Sequence, residues 1–342
     1  MWRQPLVLRG IHGTILEICK HDLLIFCHAV LPLALALRRC SRKEHRMSFN
    51  PFMKKLGLSV SDRAVIVHVD DVGMCLSSIE AFFELYDFGT VTSGALMAPC
   101  PWFPEVARRC AARPDVDVGI HATLTSEWKG YRWGPVSTRD PDSGLLDAEG
   151  YFPRTSEELQ SRAKPEAAMR EIAAQVAMVY AAGIEPTHID THMFSVAHER
   201  LIDAYISQAI EHRIPAMLPK PDIAGFESIV AGYETRDCLA GYLRELGEKG
   251  MPLLDAVVAM PLDEPCDQTE TVKRLLGSLK EGITHFVLHA STDSPELRAI
   301  TPDWESRIWN YKTMHSDTMK RIMESEGIVL IGYRDLRDAL RK

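Results

Sequence analysis

The sequence predicts an α/β domain built on a parallel sheet or barrel. Three observations carry that expectation. From residue 62 onward, short β-like runs alternate with helix-like ones, the pattern of strand–helix–strand units. Several of the β-like runs are continuously apolar, as strands covered on both faces are. The residues best suited to chemistry, Asp70, Asp71, His121, His192 and His289, each stand at the end of such a run. Barrels and open α/β sheets build their active sites at strand ends.

The first strand is expected at 64–69, Ala64-Val65-Ile66-Val67-His68-Val69, with Gly73 and a helix-like stretch from Ser77 to Phe88 behind it. Further strands are expected at 91–97, 117–121, 187–190, 214–217, 284–289 and 328–332. Helices are expected near 165–182, 199–212, 235–248, 269–281 and 304–325. The clearest helix opens on Pro165, which suits a first helical position, and Gly183 suits the residue just past its end. Met169, Ile172, Val176 and Val179 line one face of it. Residues 125 to 155 break the alternation with Trp128, Tyr131, Trp133, four glycines and the turn-rich Asp140-Pro141-Asp142-Ser143-Gly144. A loop of that length in a compact domain is usually functional or disordered. Its aromatic content favours order. Trp128, Tyr131 and Trp133 could stack on a sugar ring, or could simply pack the loop onto the domain.

Composition narrows the function. The chain has 342 residues, 46% of them hydrophobic, which is ample for a core in one large domain or two ordinary ones. A net charge of -8 and the lack of a basic stripe after residue 50 argue against nucleic-acid binding. Eight cysteines lie scattered without a C-x-x-C pair, so neither a disulfide framework nor a zinc ribbon is indicated, and reduced cytosolic thiols are the default. Leu23 to Leu37 is apolar but short for a membrane span, and the basic run Arg38-Arg39-Cys40-Ser41-Arg42-Lys43 follows it, on the wrong side for a signal peptide. Residues 1–50 are read either as a poorly structured extension, with Met47 an alternative start, or as an amphipathic segment able to touch a membrane. No phosphate-binding loop, dinucleotide fingerprint, H-E-x-x-H or G-x-S-x-G motif competes with the strand-end residues.

Asp70 and Asp71 are neighbours on a strand, where successive side chains point to opposite faces. Only a turn at the strand end would let both reach one site. Two carboxylates so close repel unless a cation or shared proton lies between them. A metal resolves the conflict if one ligates and the other takes a proton from metal-bound water; the alternative is that one caps the following helix. His121 and His192 would complete an open site of two imidazoles and one carboxylate. Asp190, two residues before His192, could orient a histidine from behind. His188 has a structural reading. His289 is a candidate general acid, since imidazole titrates near neutrality. Arg307 and Glu305 are expected on a solvated helix face.

Taken together these segments resemble a known family. Val69-Asp70-Asp71-Val72-Gly73-Met74, Val118-Gly119-Ile120-His121-Ala122-Thr123-Leu124-Thr125-Ser126-Glu127-Trp128, Thr187-His188-Ile189-Asp190-Thr191-His192-Met193, and Leu288-His289-Ala290 with Leu297-Arg298-Ala299-Ile300-Thr301 resemble, in order, four motifs of the YdjC-like (ChbG/HpnK-type) carbohydrate deacetylases. The resemblance runs from about residue 62 to 340. It implies a distorted (β/α) barrel similar to the polysaccharide deacetylase (NodB-like) fold, with residues 51–342 as one catalytic domain. It implies a divalent metal, usually Mg²⁺ with Zn²⁺ as the alternative, and hydrolysis of the acetamide of an acetylated amino sugar or oligosaccharide. By the same resemblance Asp71, His121 and His192 are the metal ligands and Asp70 is the base. Phe194 and Val196 stand where many members continue with histidines, and Ala122 where leucine is common; these departures bear on the substrate. An acetylated sugar is the expected partner, and a homodimer is left open. Two other readings use the same residues: a non-catalytic sugar-binding relative that keeps the metal, and a non-haem Fe(II) oxygenase. The wide separation of Asp71 from His121 and the strand–helix pattern argue against the oxygenase.

Overall fold

The computed structural model describes residues 49–223 and 236–342. The reading of residues 23–37 as a membrane-touching segment lies outside the described residues. So does most of the expected N-terminal extension. Among the described residues no helix is long and apolar enough to cross a membrane.

Among the described residues seven strands form one all-parallel sheet: β1 (Arg63–Val72), β2 (Ser93–Leu96), β3 (Val118–Ala122), β4 (Ile189–Thr191), β5 (Ala256–Ala259), β6 (Gly282–Leu288) and β7 (Ile328–Leu330). The order across the sheet is β4-β3-β2-β1-β6-β5. β7 pairs with the first residues of β1, Arg63–Val65, while β2 pairs with its last part, His68–Val72. The curl nearly closes into a barrel. Between β4 and β5 a short extended segment makes single parallel bridges, Ala216 to Ile189 and Pro219 to Leu254. The expected strand at 214–217 is therefore reduced to one bridging residue. Pro215 and Pro219 remove the N–H groups that a full ladder needs. β5, by contrast, has no counterpart among the expected strands; at four residues it is too short to show a period. The expected helix at 304–325 is two, Trp304–Met314 and Asp317–Ser325. The break falls where the Ser316 side chain caps the second helix by accepting from the Met319 N–H.

The barrel interior changes character along its axis. At the bottom, Ala64, Ile66, Ile283, Met217, Leu254 and Ile331 form an apolar floor. Tyr333, which opens the last helix, plugs that floor and is fully buried. Its ring stacks on His188 at 3.9 Å between centroids, and its hydroxyl meets His285 Nδ1 at 2.9 Å. His188 thus has the structural role expected of it. Above this layer the interior is polar, with His68, Asp190 and His121 leading to the C-terminal ends of the strands. The opposite faces of the strands, such as Val65, Val67 and Val69 of β1, pack in the larger core with the surrounding helices.

The loop from 125 to 155 is ordered by a buried carboxylate. Glu171, on the helix Pro165–Ala181, accepts from the Val136 and Ser137 N–H groups at 3.0 and 2.8 Å. Gln175, one turn on, clasps Thr123 through both N–H and C=O. Glu171→Ala removes three buried hydrogen bonds, from Val136, Ser137 and Gln175, and is expected to cost about 2–4 kcal/mol. Thermal denaturation should show the lowered midpoint, and limited proteolysis should cut the 125–155 loop faster than in the wild type.

Candidate metal centre

The mouth of the barrel gathers the strand-end residues. β1 carries Asp70 and Asp71, β3 carries His121, β4 carries Asp190, and His192 and His289 stand immediately after β4 and β6. The two aspartates share this mouth because β1 does not finish as a regular strand. Its register against β2 shifts between Val69 and Val72, and Asp71 has a left-handed backbone with φ of 61°. That conformation is unfavourable for a residue with a Cβ, though Asp tolerates it better than most. It turns the Asp71 side chain back into the site that Asp70 already faces.

Asp71 Oδ1 lies 3.4 Å from His121 Nε2 and 3.2 Å from His192 Nδ1, and those two nitrogens are 3.3 Å apart. All three side chains are buried. The histidine nitrogens facing this point are fixed by carboxylates behind them. Asp190 Oδ1 accepts from His121 Nδ1 at 2.7 Å, and Glu127 Oε2 accepts from His192 Nε2 at 3.1 Å. In the neutral rings, with those protons behind, Nε2 of His121 and Nδ1 of His192 present lone pairs forward. Asp71 Oδ1 makes no hydrogen bond of good geometry despite its burial. Three converging lone pairs repel unless a cation, either a proton or a metal ion, lies among them. Their spacing is that of ligand atoms sharing an ion at about 2.1 Å from each. The residues fit a divalent ion, and the carboxylate behind each imidazole is the usual support for one.

The electrostatics point the same way. Burial opposes charging His121, yet Asp190 and Asp70 hold its pKa well above the ordinary value. His192 is raised to about 9 against its burial, by Glu127 and Asp71. Burial would raise the Asp71 carboxyl, but His121, His192 and Arg307 outweigh it and keep it well below the usual range. The pocket attracts positive charge. Asp70 differs from its neighbour: burial pushes its carboxyl up to about 7. Its Oδ1 is buried without a good hydrogen bond, 3.3 Å from His68 Nε2, and its Oδ2 lies 3.7 Å from His289 Nε2. His289 is partly exposed, its backbone N–H donates to Asn310 Oδ1, and burial lowers its ring to about 4. It is therefore neutral at ordinary pH.

The supporting residues in part follow the sequence reading and in part depart from it. Asp190 supports a histidine from behind, as expected: the histidine is His121, and the other Asp190 oxygen, Oδ2, lies 2.9 Å from His68 Nε2. Strand alternation sends Asp190 inward, while His192 falls beyond the strand on a turn. Glu127, which the sequence reading did not single out, stands behind His192; it lies between Ser126 and Trp128, at the end of the motif that carries His121. Arg307 is not on a solvated face. It is buried and donates to Asp71 Oδ2 at 2.8 Å and Asp303 Oδ1 at 2.8 Å, whereas Glu305 is exposed as expected.

The three aromatic residues wall the site. Trp133 is buried, donates to the Thr125 carbonyl at 2.8 Å, and packs 6.1 Å from the His192 ring. Trp128 lies edge-on to it, with the Arg307 guanidinium 5.6 Å from its ring centre. Tyr131, the partly exposed member, donates its hydroxyl to the Met74 carbonyl at 2.6 Å. The polar groups of Trp133 and Tyr131 are thus taken up within the protein.

A parallel α/β barrel with a carboxylate–imidazole cluster at its strand ends defines the general class. The particular family follows from comparison. The YdjC-like protein family model matches residues 64–325, and the chain belongs to that family. A carbohydrate deacetylase from Thermus thermophilus is 27% identical over 288 residues, covering 84% of this chain and 98% of its own. One from Brevibacillus brevis is 35% identical over 155 residues, 45% of this chain and 59% of its own. A crystal structure from Enterococcus faecalis V583, described as a candidate cellobiose-phosphate cleavage protein, superposes with a TM-score of 0.67 at 23% identity. It covers 81% of this chain and 99% of its own, and so shares the fold.

For an ion held by Asp71, His121 and His192, Glu127→Gln is expected to weaken binding about 10–100-fold by loosening the His192 ring. Calorimetric titration of the ion-free protein with Zn²⁺ or Mn²⁺ measures that loss.

Proposed function

We propose that the chain is a metal-dependent carbohydrate N-deacetylase, hydrolysing the acetamide of an N-acetylated amino sugar or oligosaccharide to acetate and a free amine. The observation that carries the proposal is the convergence of Asp71 Oδ1, His121 Nε2 and His192 Nδ1 beside a second carboxylate, Asp70, whose buried Oδ1 makes no hydrogen bond of good geometry. The family, and the activity named for its relatives, supply the reaction class.

Bound by those three residues, a divalent ion would polarise the acetyl carbonyl and acidify a water. The protein's own groups handle the protons. Asp70, with a carboxyl near neutrality, is the base that accepts a proton at Oδ2 or Oδ1. His289 is neutral and must gain a proton before it can donate one. Asp70 Oδ2, at 3.7 Å, is a source within a small movement of its Nε2. Passing that proton to the departing nitrogen turns a poor leaving group into an amine. Asp190 and Glu127 keep the His121 and His192 rings in one tautomer. Trp133 shields the His192 side of the site from water. The donor set of two imidazoles and one carboxylate suits zinc and other transition ions by ligand softness, while the family resemblance implies magnesium.

Acetate release from N-acetylated mono- and oligosaccharides, with Mg²⁺, Zn²⁺ or EDTA added, tests the proposal. Activity should disappear with the chelator and return with an ion. His121→Ala should abolish ion binding, and Asp70→Asn should keep the ion but lose about 10²–10⁴-fold in kcat. Full activity in Asp70→Asn would show that another group is the base. Asp70 works only when ionised, so kcat/KM should fall as pH drops. Its limb is expected at or below about 7, because a cation alongside lowers the value set by burial. The residual rate of Asp70→Asn should lack that limb.

A further inference from the structure

Asp71 divides its two oxygens between different partners. Oδ1 faces the two histidine nitrogens and has no good hydrogen bond, while Oδ2 accepts from Arg307 at 2.8 Å. The guanidinium reaches the site from the helix Trp304–Met314, and both side chains are buried, at 5% and 2% exposure. Arg307 is itself held: its Nε donates to Asp303 Oδ1 at 2.8 Å, the Trp128 ring lies 5.6 Å away, and Asp303 is steadied by the Thr301 hydroxyl.

We infer that Arg307 is a positioning residue for the metal centre: by occupying Oδ2 it fixes Asp71 as a one-oxygen ligand and aims Oδ1 at the point shared by His121 and His192. The inference rests on the metal-centre reading above. Its physical basis is that a carboxylate can ligate through one oxygen or both, and a free one rotates between the two. A guanidinium remains charged at any ordinary pH and presents donors in a rigid fork, so this hold does not lapse. The left-handed backbone at Asp71 aims the side chain into the site, and Arg307 sets its remaining rotation.

Charge and positioning predict opposite signs. A cation close to a ligand repels a metal ion, so removing it would tighten ion binding if charge alone mattered. Removing a group that orients the ligand weakens binding, about 10–100-fold for supports of this kind. The experiment is titration of ion-free wild type, Arg307→Gln and Arg307→Lys with Mn²⁺. Water-proton relaxation of the saturated proteins and a thermal melt accompany it. Arg307→Gln is expected to bind at least tenfold more weakly, with Arg307→Lys between it and the wild type because a single ammonium holds Oδ2 less firmly. Relaxation in Arg307→Gln should differ from the wild type, since a released carboxylate either swings away or binds through both oxygens. Equal or tighter binding in Arg307→Gln, or identical relaxation, overturns the inference. A wild type that binds no Mn²⁺, Mg²⁺ or Zn²⁺ overturns the metal centre itself. If Arg307→Gln does not fold, Asp303→Asn loosens Arg307 without touching Asp71, and a smaller loss of the same sign is required; unchanged affinity there overturns the inference.

Discussion

One buried carboxylate holds the mouth of this barrel together. Asp190 receives His121 Nδ1 on one oxygen and His68 Nε2 on the other, and His68 continues to Ser93 Oγ at 2.7 Å. That chain crosses four neighbouring strands, β4, β3, β1 and β2. Every member is buried, so removing one leaves an uncompensated charge or an unpaired donor in a medium that solvates it poorly. Burial would raise the Asp190 carboxyl, but His121 and His68 keep it well below its usual range, and it stays an anion. An anion at that position fixes which His121 nitrogen faces forward. The ligand geometry thus depends on a residue that does not itself face the shared point.

The two aspartates of β1 show how environment separates identical side chains. Asp71 is ringed by His121, His192 and Arg307 and remains ionised. Asp70 is buried with weaker compensation and rises to about 7. The two states suit the roles proposed for them: a metal ligand must be deprotonated, and a general base does best with a pKa near the working pH. The difference arises from backbone geometry: the register shift and positive φ at Asp71 turn two oppositely directed residues into one site. Backbone strain of this kind, of order 1–3 kcal/mol, persists where surrounding contacts over-determine it. Here Arg307 is such a contact.

The loop after His121 is structural support as much as boundary. Glu127 lies at its start and orients His192. Trp128 and Trp133 fill the space between that histidine and Arg307. Glu171 and Gln175 pin the loop from the helix beneath. The indoles are packed, Trp133 donating to Thr125 and Trp128 lying against Arg307, and Tyr131 is the partly exposed member of the trio.

By itself the sequence determined the fold class, the strand-end location of the chemistry and the family. Strand–helix alternation and four ordered motifs are local patterns, legible in one dimension. Asp70, Asp71, His121, His192 and His289 could be picked out because each ends an apolar run. The tertiary structure decided what stands behind them. Arg307 reads as one more charge on a helix until the fold carries that helix across the barrel mouth, 236 residues along the chain from Asp71. Asp190 could be recognised as a support for a histidine, but which histidine depended on where the strand stops and the turn begins. The short strand β5 and the lone bridge at Ala216 escaped or misled the pattern for the same reason. A three- or four-residue segment acquires its state from its neighbours in the sheet, and periodicity cannot report neighbours that are distant in sequence.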